Sequence, residues 1–321
     1  MTWPERHVRT SATGLRPQDR RAPAPWLCTA RALPLGRIAA WALLVAILCL
    51  TVAPLWVMLK TALTHPAELF ARAGELLPLE PTLLNFRRVL GGLSAQDSLA
   101  LGGSDAQVDF ARALLNSLLF TTVVVVLQTS SCAMAAYAFA RLQFAGKRVL
   151  FGAFIGSMML PSVVLFIPNF ILIKELGWLH SLAGMVAPFA LMSGSAVFFL
   201  RQFFLSLPRE LEEAALIDGA THFTIFRRIA LPLASTPLAT ISLLTAIAIW
   251  NEFFWPFIVA PGDEFQVLPT ALQSFKAQSP QGQVDWTGLM AAASLTALPT
   301  LLLLLALGRR VVESVQYSGG K

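Results

Sequence analysis

The chain is 321 residues long, 56% apolar by the AVILMFWYC count and only 13% charged, about half the charged share usual for a soluble domain. With a mean hydropathy of +0.65 and three cysteines, it is not a disordered tail, a collagen-like rod or a disulfide scaffold, and the figures disfavour an ordinary soluble enzyme. The net charge of +6 is clustered, and the clusters mark where apolar runs begin and end.

Residues 1–36 are rich in Arg, Pro and Ala, show no apolar period, and are expected to form a disordered tail. The remainder, 37–321, reads as one domain. It carries six stretches free of Asp, Glu, Lys and Arg, at 38–59, 113–140, 149–173, 176–200, 229–251 and 286–308. Each runs 22 to 28 residues, and no other charge-free stretch exceeds eleven. About 20 apolar residues span a bilayer core of roughly 30 Å, whereas ~10–14 would suit a buried core helix. Lipid offers no partner to exposed backbone groups, so such runs are helical. The predicted fold is an all-α membrane protein with six transmembrane helices, at about 38–59, 113–140, 149–173, 176–200, 234–258 and 286–308. The run after Arg37 is too long for the apolar core of a signal peptide, and no small-residue cleavage site follows it. Pro161, Pro168, Pro188 and Pro299 fall within spans and are expected to kink them.

Lys and Arg set the orientation. With six spans both termini share one side, and that side holds 17 basic residues against 7 on the other. The 17 include seven Arg of the tail, the pair Lys147–Arg148, and Arg227–Arg228. This asymmetry places both termini in the cytoplasm. The basic excess serves topology and anionic lipid rather than nucleic acid.

No phosphate-binding loop, dinucleotide fingerprint, H-E-x-x-H or C-x-x-C occurs. The expectation is no catalytic residue, no metal site and no cofactor in this chain. Cys28, Cys49 and Cys132 fall in the tail or in spans, so no structural disulfide is expected. Paired carboxylates at membrane depth would mark an ion-coupled transporter, and Glu252 near the end of the fifth span is the one candidate. The chain therefore shows no energy-converting site of its own.

The most informative segment is 201–237, between the fourth and fifth spans. Pro208 suits a first helical turn, with Glu210, Glu212 and Glu213 near the positive helix end. Leu211, Ala214 and Ala215 share a face at i, i+3, i+4 spacing. Gly219 is a natural stop. Thr221 can cap a second short helix through Phe223, Phe226 and Ala230, ended by Pro232. On physics alone the segment is equally a solvated amphipathic loop or a docking surface.

The order Glu213-Ala214-Ala215, then Gly219, Ile229 and Leu231-Pro232, resembles the EAA loop of the inner-membrane permease subunits of ABC importers. The resemblance covers 81–321, roughly three quarters of the chain. Stretches 212–221 (EEAALIDGAT) and 250–256 (WNEFFWP), with PTLLNFRRVL at 81–90 and DWTGLMAA at 285–292, look most like maltose-type carbohydrate permeases. Within that group the chain resembles the smaller of the two permease partners. The resemblance implies a multi-pass protein of the bacterial inner membrane that forms half of a pore. It implies a second permease, a dimer of ATPase subunits at the cytoplasmic face and a periplasmic or extracellular solute-binding protein. It assigns ATPase coupling to Glu213, Ala214, Ala215, Asp218, Gly219, Ile229 and Pro232.

Trp250, Asn251, Glu252 and Trp255, with Asn116 in the second span, form a candidate sugar path or, alternatively, an interfacial aromatic belt and interhelical glue. The expected cargo is a sugar or oligosaccharide, with glycerol phosphate or a polyol as the alternative. A stand-alone secondary transporter is a remote alternative, since neither intramembrane ion pairs nor a convincing inverted repeat is present.

Overall fold

The computed structural model describes residues 34–71, 74–78, 80–105, 108–277 and 284–319. The tail expected over 1–36 lies outside the described residues as far as position 33. Positions 34–36 already belong to helix α1, Pro34–Leu63, where Pro34 opens the first turn. The chain divides into two compact units, Met1–Ala53 and Pro54–Lys321. In the first, α1 is apolar around its whole circumference, as a membrane helix is.

In the second unit all regular structure of the described residues is helical. Two short helices, α2 (Leu84–Val89) and α3 (Ala95–Ala100), precede α4 (Phe110–Arg141). Then come α5 (Lys147–Ser157), α6 (Ser162–Glu175), α7 (Leu182–Ala190) and α8 (Gly194–Ser206). The short helices α9 (Glu210–Ile217) and α10 (His222–Ile225) lead through a π-helical turn, Phe226–Ala230, into α11 (Leu231–Leu233). The chain finishes with α12 (Ser235–Trp250), α13 (Phe254–Val259), α14 (Leu268–Ala271), α15 (Ser274–Ala277) and α16 (Trp286–Gly319).

Three stretches, Gly36–Leu63, Phe110–Arg141 and Trp286–Ala306, are long and apolar enough to cross a membrane. Three more reach that length only as bent pairs: α5 with α6 at 102°, α7 with α8 at 46°, and His222–Leu233 with α12 at 77°. The charge-free runs at 149–173, 176–200 and 229–251 are thus interrupted rather than continuous. Pro161 breaks the first, holding an extended conformation (ψ 131°) ahead of α6. In the second, Gly177 and His180 adopt positive φ before Ser181 caps α7, and extended Ser193 separates α7 from α8. In the third, the bend falls at Ala234, and Pro237 tolerates the first turn of α12 because its missing N–H has no helical partner there. The predicted 234–258 span also stops at Trp250 and resumes at Phe254.

Helix α4 is the axis of the second unit, packing against α7, α8, α12 and α14. One apolar cluster joins its C-terminal end to α8 and the π turn through Tyr137, Phe204 and Phe226. Another joins its middle to α7 through Phe120, Val124 and Met185. At its N-terminal end, Ala113 packs with Trp250, Leu268 and Ala271.

Candidate functional site

The segment between α8 and α12 is built as two short helices around a glycine. Helix α8 ends at Ser206 because Leu207, preceding Pro208, is extended (ψ 141°). Helix α9 begins at Glu210, so Pro208 lies two residues ahead of it rather than in its first turn. Its end is a Schellman motif: Gly219 N–H donates to Leu216 O at 3.0 Å and Ala220 N–H to Ala215 O at 2.9 Å. Gly219 has φ +82°, the left-handed region that this motif requires. Thr221 Oγ1 then accepts from Thr224 N–H at 3.2 Å and starts α10. Pro232 does not end that second helix. The π turn carries the chain past it to Leu233, because a wider turn re-routes the backbone bonds that proline cannot make.

The two faces of α9 differ from the expected one. Ala215 packs inward against the cluster around Phe204 and Ile225, together with Ala220 and Ile229. Glu212 also turns inward, its Oε1 lying 3.0 Å from Arg141 Nε with side chains 17% and 6% exposed. The two charges touch without hydrogen-bond alignment. Arg141 Nη2 donates instead to Leu207 O at 2.6 Å. This arginine therefore ties the end of α4 to both ends of the α8–α9 turn. Glu213, Ala214, Asp218, Gly219 and Pro232 are exposed, as are Leu216 and Ile217. Of the seven residues assigned to coupling, five form the outer surface and two, Ala215 and Ile229, anchor it.

A Cβ at Gly219 would meet no atom within 4 Å, so a substitution there costs backbone strain alone. We expect Gly219→Val to lose on the order of 1–2 kcal/mol and to redirect α10 while leaving the helices inserted. Thermal unfolding in detergent and membrane yield, measured together, check this; an unchanged midpoint would contradict it.

A second feature lies inside the bundle. A cavity of about 330 Å³ sits between α4, the α7–α8 bend and α12. Its polar wall comprises Gln128, Ser193, Ser195, Thr245 and Glu252, with Phe189 as an aromatic neighbour. Gln128 Nε2 donates to Phe189 O at 2.9 Å. Its Oε1 accepts from Thr245 Oγ1 at 3.0 Å. One amide thus holds the frayed end of α7 and the middle of α12 against α4.

The proposed path residues are divided. Trp250 is 3% exposed and donates to Thr296 O in α16 at 3.0 Å. Trp255 is 4% exposed and donates to Gly184 O at 3.1 Å. Both indoles are helix-packing elements here, since their ring N–H groups find interior carbonyls and their faces are covered. Neither indole lines the cavity, nor does either lie in an exposed belt. Asn251 is exposed and bonds back to Ile247 O at 2.7 Å. Asn116 secures the segment before α14 through Glu264 O and Gln266 O, beside Ser117, whose Oγ accepts from Leu268 N–H at 2.8 Å. Glu252 alone of this set faces the cavity, and its Oε1 accepts from Trp255 N–H at 3.0 Å.

The protein family described as "Binding-protein-dependent transport system inner membrane component" matches residues 129–317, more than half of the chain. The chain belongs to this family. Among curated relatives, the permease is 32% identical over 202 residues to the probable ABC transporter permease protein YurM of Bacillus subtilis, covering 63% of this chain and 66% of that one. It is 31% identical over 262 residues to the sn-glycerol-3-phosphate transport system permease protein UgpE of Pectobacterium atrosepticum, covering 82% and 89%. A solved bacterial ABC transporter involved in the import of the acidic polysaccharide alginate contains a chain of the same fold. Its TM-score is 0.74 at 22% identity, covering 87% of this chain and 98% of that one. The protein is thus a permease of an ABC-type importer.

The permease holds one further polar centre that residue spacing did not reveal. Arg88 of α2 and Asp285, just ahead of α16, form a buried ion pair, each side chain 3% exposed. Arg88 Nε donates to Ser98 Oγ at 2.9 Å and Nη1 to Asn85 Oδ1 at 3.1 Å. Asp285 accepts from Ser104 N–H and Oγ–H at 3.0 and 2.8 Å, from Thr287 Oγ1 at 3.0 Å and from Gly288 N–H at 2.9 Å. Asn85 Nδ2 extends the network to Ala62 O and Thr64 O, each at 2.8 Å. Burial pushes the Asp285 carboxyl up, but Arg88, Gly288 and Ser104 outweigh it and hold the group below the ordinary carboxylate range. A Cβ on Gly103 would collide with the Arg88 guanidinium. The two charges stand in stretches 81–90 and 285–292, both noted in the sequence, but 197 residues apart. No local pattern joins them.

Proposed function

We propose that this permease forms half of the translocation pore of an ATP-driven importer for a sugar or oligosaccharide. It crosses the inner membrane six times, each bent pair acting as one span, with both termini in the cytoplasm. A second permease completes the pore, a solute-binding protein delivers cargo at the outer face, and separate subunits hydrolyse ATP. The loop 206–232 docks on one ATPase subunit, and closure of the ATPases rocks the helices between inward-open and outward-open states. The observation that supports this most is the division of α9. Glu213, Ala214 and the apolar tip at Leu216 and Ile217 face outward, while Ala215, Glu212 and Ile229 bind the loop rigidly to α4 and α8. Such a lever passes a push on its outer face to the bundle. The relatives called UgpE carry the name of glycerol phosphate transport, which keeps a phosphorylated polyol as the second reading of the cargo.

As half of a pore whose sequence carries no nucleotide-binding motif, the chain alone should transport nothing on this proposal. Liposomes containing only this permease should show no saturable sugar uptake, while the same chain expressed with its partners should bring down an ATPase in detergent. Saturable uptake by the lone chain would contradict the proposal, and so would failure of any ATPase to copurify.

A further inference from the structure

We infer that the cavity between α4, the α7–α8 bend and α12 is a water-filled section of the path that admits uncharged polyhydroxylated solutes and turns anions away. This rests on the permease reading above and deepens it by naming the class of cargo. Two independent features single out the place. First, the helix is interrupted at Leu191–Ser193, within a run otherwise long enough to span. Non-helical backbone at membrane depth persists where it is buried in protein or lines a water-filled cavity. Second, polar side chains from three separate elements converge on that interruption. They are Gln128 of α4, Ser193 and Ser195 at the bend, and Thr245 and Glu252 from the region of α12. The volume of about 330 Å³ falls within the range of small-molecule pockets, roughly 300–1,000 Å³.

The chemistry of the wall selects the cargo. Hydroxyl and primary amide groups both donate and accept, as the hydroxyls of a sugar or polyol do. Phe189, packed edge-on to Phe120 at 6.1 Å, provides an aromatic face beside them. A phosphate ester or a carboxylated sugar would instead call for Arg or Lys, whose charge-assisted bonds are about twice as strong as neutral ones. Among the described lining residues no cation appears, and the one charged side chain is the carboxylate of Glu252. Like charges repel more strongly in a partly enclosed site than in bulk water. An anion entering this cavity therefore meets a barrier that a neutral solute does not. The wall favours a neutral sugar over glycerol phosphate, although several relatives carry the latter in their names.

The test probes the cavity without knowledge of the cargo. Ser195→Cys and, as a second position, Thr245→Cys are placed in the full chain with Cys28 and Cys49 replaced by alanine. Each variant is expressed with its partner subunits and treated in membranes with neutral, cationic and anionic methanethiosulfonate reagents. Rates are normalised to free cysteine, and the parent background is measured alongside. The neutral and cationic reagents should modify both positions, with the anionic reagent at least about tenfold slower. Adding Glu252→Gln should recover most of that deficit. No reaction at either position would show a dry site and overturn the inference. An anionic rate equal to the neutral one, or a deficit unchanged by Glu252→Gln, would overturn it as well. Copurified ATPase, assayed in the same preparations, separates the two claims: ATPase retained with the wrong thiol pattern sinks only the cavity, whereas ATPase absent sinks the permease reading beneath it.

Discussion

Glu213→Gln should release the ATPase from an otherwise intact permease, whereas Glu212→Gln should weaken the permease itself. The two glutamates are adjacent in sequence but face opposite ways. Glu213 is exposed and makes no ion pair among the described residues, so its replacement should change folding stability by no more than about 0.5 kcal/mol. If it meets a donor on the partner, losing the charge removes one side of an interfacial pair, typically 2–5 kcal/mol with part of it from the stranded partner. Glu212 lies against Arg141 at 3.0 Å with both side chains largely buried. Breaking a buried pair from one side costs about 3–5 kcal/mol. The lower end applies here, because Arg141 keeps its bond to Leu207 O. Copurified ATPase and thermal unfolding, measured on the same preparations, distinguish the two. Loss of ATPase with an unchanged unfolding midpoint is expected for Glu213→Gln. A lowered midpoint is expected for Glu212→Gln. Identical behaviour of the two variants would contradict the assignment of faces.

The second large effect concerns Arg88 and Asp285. Each charge is buried and each is satisfied by the other and by neighbouring hydroxyl and amide groups. Asp285→Leu alone, or Arg88→Met alone, leaves an uncompensated charge and should cost about 3–5 kcal/mol. The double variant should recover much of this, since a buried pair replaced by apolar groups is often nearly neutral. A double variant as unstable as the sum of the single ones would contradict the coupling. The acid response has a definite sign. Asp285 is held below the ordinary carboxylate range in the folded protein. Its contribution is therefore complete at neutral pH and is lost as pH falls through that lowered value. In Asp285→Leu, the acid-induced loss of stability attributable to this group should disappear. A midpoint whose fall at low pH matches the parent's would argue against it.

Much of the architecture was legible in the residue pattern because membrane helices are specified by length and charge exclusion alone. The stop at Gly219 and the cap at Thr221 follow from single residues with strong local preferences. The faces of α9 did not follow. Ala214 and Ala215 are chemically identical, and an i, i+3, i+4 pattern cannot say which alanine meets the chain's own core. The break at Pro161 was marked by the proline itself, whereas the one at Leu191–Ser193 was hidden because an apolar run holds no charge to mark a turn within it. Trp250 and Trp255 looked like path or belt residues beside Asn251 and Glu252. Their indole N–H groups found carbonyls on α16 and α7 that only tertiary packing brings near. The Arg88–Asp285 centre needed two segments 197 residues apart to meet.

Site-specific photo-crosslinking from α9 tests the central claim most directly. A photoreactive residue is placed singly at Ala214, at Ile217 or at Ala215 in the permease expressed with its partner subunits. ATPase adducts are expected from Ala214 and Ile217, which are exposed, and at most trace adduct from Ala215, which packs against the core of its own chain. Equal adducts at Ala214 and Ala215, or none at Ala214 and Ile217 in a complex that retains its ATPase, would contradict it.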